Sequence, residues 1–546
     1  MIDKKTHCEE DTKLPRLKRQ YKRLLANYHN QQHEVQLKDI ADILSCTPRY
    51  ARTLLKEMNQ SGWISWSSLP GRGKLSLIQC RLDSENLENV RSVTESQPVT
   101  YSPEHPALMI DGDNFILRHY HPLPAIVPKS SALYLSRHLI RMVHVGLVRY
   151  RRGNTDPELA LAHHVEVSED RKQWRFYLRR GLFWHNNEPF NVADCLHTFY
   201  PFIGSSLLPH VCEVDADKQS VVFHLTQPDE MLLYRLANPA LATSHPAQPT
   251  VGLGPFMVVK HTDELIVLAR FSHWFGKTPQ AGIIRIETRL RKPTDWGLVN
   301  LSTDKTDSLS ANPETLTSRD TFSFLAFNNT RRNALSRQQC FTLVNIAKNI
   351  VSGMIKKQPD IFAVEDWLAI ADKTAKVVKL PATLALSYFS TPDTDIFVNL
   401  FSNNLLRLGC RLNARPIHYS HWPVTEEHWQ NVDIALGYLS SMQEAAFTFE
   451  ERWRRSNMVK VFWSPEMQTR IVSLLKLSAM RDPACHMQFL IDLQRHAIRH
   501  KLMVPLYAKQ YTLAYPRSVR GVHCHPQCWP DFTRLWIDAS LEGQGS

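Results

Sequence analysis

Only 10 cysteines and 19 glycines occur in the 546 residues. The cysteines (8, 46, 80, 195, 212, 340, 410, 485, 524 and 528) are scattered, without a C-x-x-C pair, so neither a disulfide framework nor a zinc spacing emerges. Glycine never arrives as a nucleotide fingerprint. Gly252-x-Gly254 lacks a third glycine and runs into Pro255, and Gly71-Arg72-Gly73-Lys74 misses the phosphate-loop spacing because residue 68 is Ser. There is no G-x-S-x-G elbow and no H-E-x-x-H pair. These absences argue against an enzyme and against a bound cofactor or metal. No apolar run approaches the length of a bilayer, and the opening residues MIDKKTHCEEDTKLPRLKRQ lack the apolar core of a signal peptide. The expectation is a cytoplasmic protein without a membrane partner.

What the chain does have is charge in one place. The whole sequence carries +12, whereas residues 13–82 hold 13 Lys and Arg against 4 Asp and Glu, a local +9. Clustered cations suit a polyanion, because neutralising phosphates releases their counterions. Within that stretch Thr47 and Pro48 read as the cap and first residue of a helix. Ala51, Leu54, Leu55 and Met58 then form one apolar stripe, and Arg49, Arg52, Thr53 and Lys56 repeat on the other face. A shorter helix with Leu37, Ile40, Ala41 and Leu44 turned inward precedes it across the turn Ser45-Cys46. Two short β-type runs follow, residues 63–66 and 75–78, around a turn-forming tip, residues 69–74. The pattern is a winged helix-turn-helix made for double-stranded DNA. Arg49, Tyr50, Arg52, Thr53 and Lys56 are the candidate contacts in the groove, with Arg72 and Lys74 of the wing on phosphates. The bland reading is a helix and hairpin with a solvated charged face.

A multi-domain chain is expected at this length. The opening residues 1–12 read as disordered, 13–82 as the winged helix (mainly α with a β wing), and 83–107 as a polar, proline-punctuated linker. Leu14, Leu17, Tyr21, Leu24, Leu25 and Tyr28 give the head a first helix over 14–28. Residues 108–540 have mixed α and β texture. Trp174-Arg175-Phe176-Tyr177-Leu178-Arg179 alternates as a half-buried strand, and a helix runs from Val192 to Tyr200 behind Asn191.

In this second region six ordered blocks stand out. They include 146–150 GLVRY, 174–179 WRFYLR, 181–186 GLFWHN with 189–194 PFNVAD, 252–256 GLGPF, 324–329 FLAFNN and the closing 519–522 VRGV with 531–536 DFTRLW. Their order and spacing resemble the family 5 extracellular solute-binding proteins. That resemblance implies an α/β, two-lobed, periplasmic-binding-protein-like fold (type 2) that closes on a solute about a hinge. Asn187 stands where that family usually has glycine. With the head in front, CTPRYARTLLKEMNQSGWISW and GRGK included, the chain resembles the SgrR family of bacterial transcriptional regulators. The resemblance implies a cytoplasmic activator that binds promoter DNA, with RNA polymerase as a further partner. It also implies sensing of a small solute, a sugar phosphate or a peptide, in sugar-phosphate stress.

Aromatic residues that would line a solute cleft are Trp184, Trp422, Tyr438 and Trp463, with Trp429 beside them, although buried core is the usual fate of such side chains. His523, Cys524, His525 and Cys528 crowd together, and His496 and His500 lie four apart, but residue 497 is Ala where zinc proteases carry Glu. Both groups read as structural. Two rival functions remain: a solute- or peptide-binding protein serving a transporter, and an interaction protein whose head binds protein rather than DNA.

Overall fold

The computed structural model describes residues 13–28, 32–60, 63–68, 75–80, 111–120, 123–130, 134–150, 156–288, 296–304, 313–364, 378–418, 424–440, 450, 454, 456–499, 502–523 and 527–541. The chain divides into two compact units, Met1–Gln97 and Pro98–Ser546.

In the first unit α1 (Lys13–Tyr28), β1 (Gln32–Val35), α2 (Leu37–Ile43), α3 (Pro48–Gln60), β2 (Ile64–Ser68) and β3 (Ser76–Cys80) follow one another. The strands form an antiparallel sheet in the order β1-β3-β2. The sequence reading had only the two-stranded wing. β1 is four residues of mixed polarity, QHEV, whose strand character comes from pairing with β3 rather than from its own pattern. The core gathers Tyr21, Leu24, Ile40, Leu44, Ala51, Leu54, Leu55, Met58, Trp63 and Ile78. Tyr21 meets Trp63 edge-on at 5.6 Å. The positive φ of Ser45 turns the chain between α2 and α3.

Among its described residues the second unit holds four hydrophobic cores, one in a first lobe, one in a middle lobe and two in a last lobe. A first lobe is built on β4 (Asp113–His119) and α4 (Tyr134–Val143). A middle lobe is inserted in it, with β5 (Ala162–Val167), β6 (Gln173–Leu178), β7 (Val211–Ala216) and β8 (Ser220–Leu225) forming a four-stranded sheet in the order β5-β6-β8-β7. A short helix, α5 (Leu232–Leu236), packs into that lobe's core through Leu232 and Leu236. The expected helix from Val192 is broken into short pieces over 192–202, with Pro201 just past the α-helical turn.

The chain returns to the first lobe through β9 (Phe256–His261), β10 (Leu265–Arg270), β11 (Ala281–Thr288) and β12 (Leu298–Thr303). The last lobe then brings β13 (Glu314–Phe327), α6 (Arg337–Lys357), β14 (Thr383–Phe389), α7 (Pro392–Arg407), β15 (Arg411–Ile417) and β16 (Ile434–Ser440). It ends with α8 (Pro465–Ala479), α9 (Pro483–Arg499) and β17 (Val504–Tyr515). First and last lobes share one eleven-stranded sheet, β9-β10-β11-β4-β12-β17-β13-β16-β14-β15, with a two-residue strand at 361–362 beside β17. Two long strands carry it across the boundary. Leu513 of β17 lies in the first core and Val504 in a core of the last lobe. In β13 the burial alternates up to Asp320 and is nearly continuous from Thr321 onward, as a strand must when it passes from one covered face to two.

Two features explain sequence blocks already noted. A Cβ on Gly252 would sit 2.0 Å from the Val143 carbonyl oxygen, and one on Gly254 would sit 2.6 Å from it. The G-x-G is therefore a close crossing where the middle lobe joins the first. Asn187 has φ of 65°, a left-handed turn position that asparagine tolerates better than most residues.

Candidate nucleic-acid interface and solute domain

The head presents its cations because the opposite face of α3 is consumed by the core. Ala51, Leu54, Leu55 and Met58 are buried, and Tyr50, Arg52, Thr53 and Lys56 are exposed. Thr47 caps the helix, its hydroxyl accepting from the Tyr50 N–H at 3.3 Å. The side chain of Arg49 and the wing residues Arg72 and Lys74 lie outside the described residues. Two positioning contacts were not foreseen. Arg23 of α1 donates to the Leu44 carbonyl (3.2 Å) at the end of α2. Asn59 Oδ1 accepts from the Trp66 N–H at 2.9 Å and ties the end of α3 to the wing. The sequence signal for it is an Asn seven residues before Trp66, at the end of an amphipathic helix.

The predicted cleft aromatics separate. Trp184 is 1 % exposed in the middle-lobe core, edge-on to Phe190 and His245. Trp463 and Trp429 are buried in the last lobe, Trp429 against Phe462. For these three the structure gives the bland reading, core rather than cleft. Trp422 lies outside the described residues. Tyr438 differs. It stands near the carboxyl end of β16, which pairs in parallel with β14, itself parallel to β15. Open α/β sheets take ligands at such strand ends. Its hydroxyl donates to Asp393 and lies 2.9 Å from the Thr391 hydroxyl. Tyr507 also donates to Asp393, at 2.8 Å, and Lys509 bridges Asp360 and, at 3.8 Å, Asp393. Burial, then the Asp393 charge, pushes both phenols well above their ordinary pKa, so both remain donors. A shallow cleft of about 290 Å³ is lined by Arg179, Arg180, Asn191 and Lys218 among others. All its walls belong to the middle lobe, so hinge closure would not seal it.

Of the crowded His and Cys residues, Cys528 turns its thiol to the carbonyl oxygens of Tyr511 (3.2 Å) and Leu316 (3.6 Å), a packing role. Cys524, His525 and His500 lie outside the described residues. No group of three or more metal-ligating side chains converges among the described residues, and no described helix is long and apolar enough to cross a membrane.

One constellation has the composition of a hydrolytic triad. Ser478 Oγ bonds His486 Nδ1, and His486 Nε2 is 3.0 Å from Glu450. Its order is the reverse of a nucleophile's, where serine meets Nε2 and the acid meets Nδ1. All three residues are buried. Glu450 also takes Arg235 Nη1 at 2.8 Å and Arg454 Nε, while Arg235 Nε donates to Asp229 at 2.8 Å. Burial alone would protonate Glu450. Arg235, His486 and Arg454 outweigh it and hold the carboxyl far below its usual range. The group is an ion cluster, and sequence could not reveal it because Arg235 and Glu450 are 215 positions apart.

At the Gly252–Gly254 crossing two histidines are buried neutral. Burial pulls His144 down to about 4 against opposing hydrogen bonds to Ile126 and Thr243. It pulls His185 down to about 3, with His144 adding to the effect.

Residues 16–95 match the family described as "Sugar transport-related sRNA regulator N-term". Residues 156–332 match "Bacterial extracellular solute-binding proteins, family 5 Middle". An Escherichia coli protein described as "Uncharacterized protein YbaE" is 23 % identical over 95 % of this chain and 98 % of its own length. The "HTH-type transcriptional regulator SgrR" of Photorhabdus laumondii is 27 % identical over 48 % of this chain and 52 % of its own length. The match to that regulator thus spans about half of it. Among solved structures, the periplasmic binding protein DppA of Helicobacter pylori, in complex with a peptide, aligns with TM-score 0.60 at 14 % identity, over 78 % of this chain and 99 % of its own. The Pseudoalteromonas dipeptide-binding protein aligns with TM-score 0.61 at 13 % identity, over 78 % and 100 %. At those identities the likeness establishes the fold. The chain carries the N-terminal domain of the SgrR family of regulators, followed by a family 5 solute-binding domain.

Proposed function

We propose that this protein is a cytoplasmic transcriptional regulator that binds promoter DNA through its head and senses a small solute through its second unit. The observation that carries the reading is α3, where Tyr50, Arg52, Thr53 and Lys56 stand exposed on the face opposite a fully buried stripe. An amphipathic helix with cations outward, held by a cap and braced on a wing, suits insertion into a major groove. Arg52 is suited to a guanine edge, Thr53 to a base or sugar, and Lys56 to a phosphate. The name of the SgrR relatives supports the same reading.

For the second unit we propose binding without chemistry, with a sugar phosphate or a short peptide as solute. The ground beside Tyr438 at the ends of the parallel strands is the place to look for it. The solute would alter DNA affinity, or contact with RNA polymerase, only as far as it binds two conformations unequally. The test is fluorescence anisotropy of the full-length protein on DNA upstream of its own gene, at two salt concentrations, with phosphosugars and short peptides added. Sequence-specific, salt-sensitive binding shifted by a solute is the expected result. Absence of specific binding at either salt favours the interaction-protein reading.

A further inference from the structure

The boundary between the middle and last lobes is closed by the protein's own charges. Segment 229–235 runs along the edge of the middle lobe where it meets the last. Met231, fully buried, packs in the last lobe's core, and the Glu230 N–H donates to the carbonyl of Ala479 at the end of α8 (3.0 Å). Four residues on, Arg235 is wholly buried and reaches Glu450 across the boundary. On the far side Arg454 and His486 complete the shell of Glu450. Leu232 and Leu236, on the same short helix, stay in the middle-lobe core. α5 is therefore anchored in one lobe and plugged into the other.

In a hinge-bending binder the solute normally supplies the contacts that make closure favourable. Here a charge from one lobe already fills a buried site in the other, and opening would leave Glu450, with only Arg454 and His486, facing a gap. We propose that residues 229–235 are a built-in latch, with Arg235 in the position of a tethered ligand, which makes the closed form the resting state without solute. A latch of this kind sets the threshold of a sensor. A solute then acts on an equilibrium already biased toward closure, and its effect is limited by the difference in its affinity for latched and unlatched forms. The inference rests on the lobed solute-binding fold and not on DNA binding.

The test measures lobe separation directly. Spectroscopic labels are introduced as unnatural amino acids at exposed Lys218 (middle lobe) and Thr469 (last lobe) of the full-length protein, and their distance distribution is recorded without solute. The latch predicts one short-distance population in the parent, with a second, longer population in Arg235→Ala. Glu450→Gln, which keeps the side-chain volume, serves as the second variant should Arg235→Ala fail to fold, and the same longer population is expected from it. A parent already mostly in the long-distance form overturns the latch. So does a folded variant whose distribution matches the parent's. Loss of DNA binding in the same samples would bear on the regulator reading and leave the latch result intact.

Discussion

The two units use charge in opposite ways. In the head the cations are outside, spaced around α3 so that the core claims one face and solvent the other. In the second unit, the proposed sensor, charges also lie inside, where Arg235, Glu450, Arg454 and His486 meet with almost no exposure. An exposed charge costs little to place and shows in the sequence as periodicity. A buried one must be paired, and the pairing is made by parts of the chain that sequence keeps far apart. The head thus keeps its charge on a surface that solvent already occupies, and the second unit keeps a charge cluster from which solvent is excluded.

The contrast breaks first at that cluster. Replacing Glu450 by Ala leaves the buried Arg454 without its carboxylate and Arg235 with Asp229 alone, and about 3–5 kcal/mol of sensor stability should go. Thermal unfolding followed in each unit would show the sensor transition fall while the head transition stays. If both fell together, the units would not be energetically separate. Leu55→Ala is the mirror experiment. Leu55 is fully buried in the head, and its loss should cost about 2–5 kcal/mol there, removing DNA binding without moving the sensor transition.

Acid sharpens the comparison further. His144 and His185 have folded pKa values below the unfolded value near 6.5, so the unfolded chain binds more protons as pH falls from 6.5 toward about 4. Stability is therefore full above that window and lost on acidification, by about 2 kcal/mol per histidine between pH 7 and pH 5. Urea unfolding at the two pH values should show the loss in the sensor. A loss confined to the head would assign it to other groups.

How much of this was legible beforehand follows the same division. The recognition helix, its Thr47 cap and its inward stripe were readable because a helix repeats within a dozen residues. β1 was not, since QHEV becomes a strand only by pairing with β3. In the sensor the blocks 181–194 and 252–256 pointed to the fold, and Gly252 and Gly254 prove to be a close crossing of backbones. The cleft was not readable. Trp184 and Trp463 look in sequence like ligand platforms and are core, because aromaticity alone does not say which side of a lobe a ring faces. Tyr438 owes its distinction to its place at the end of β16, a property of the sheet.

The smallest expected effect is also the most specific, and it addresses the central claim. Arg52→Ala, in the full-length protein, removes an exposed side chain from α3 and should leave both unfolding transitions unchanged. Anisotropy with DNA upstream of the protein's own gene should show affinity weakened by about 1–3 kcal/mol and discrimination relaxed at one base position. Lys56→Ala should weaken all sequences alike and lower the salt slope by about 1. Unchanged DNA affinity in the Arg52→Ala, Lys56→Ala double variant would contradict the account, because the face of α3 would then not be the one that meets DNA.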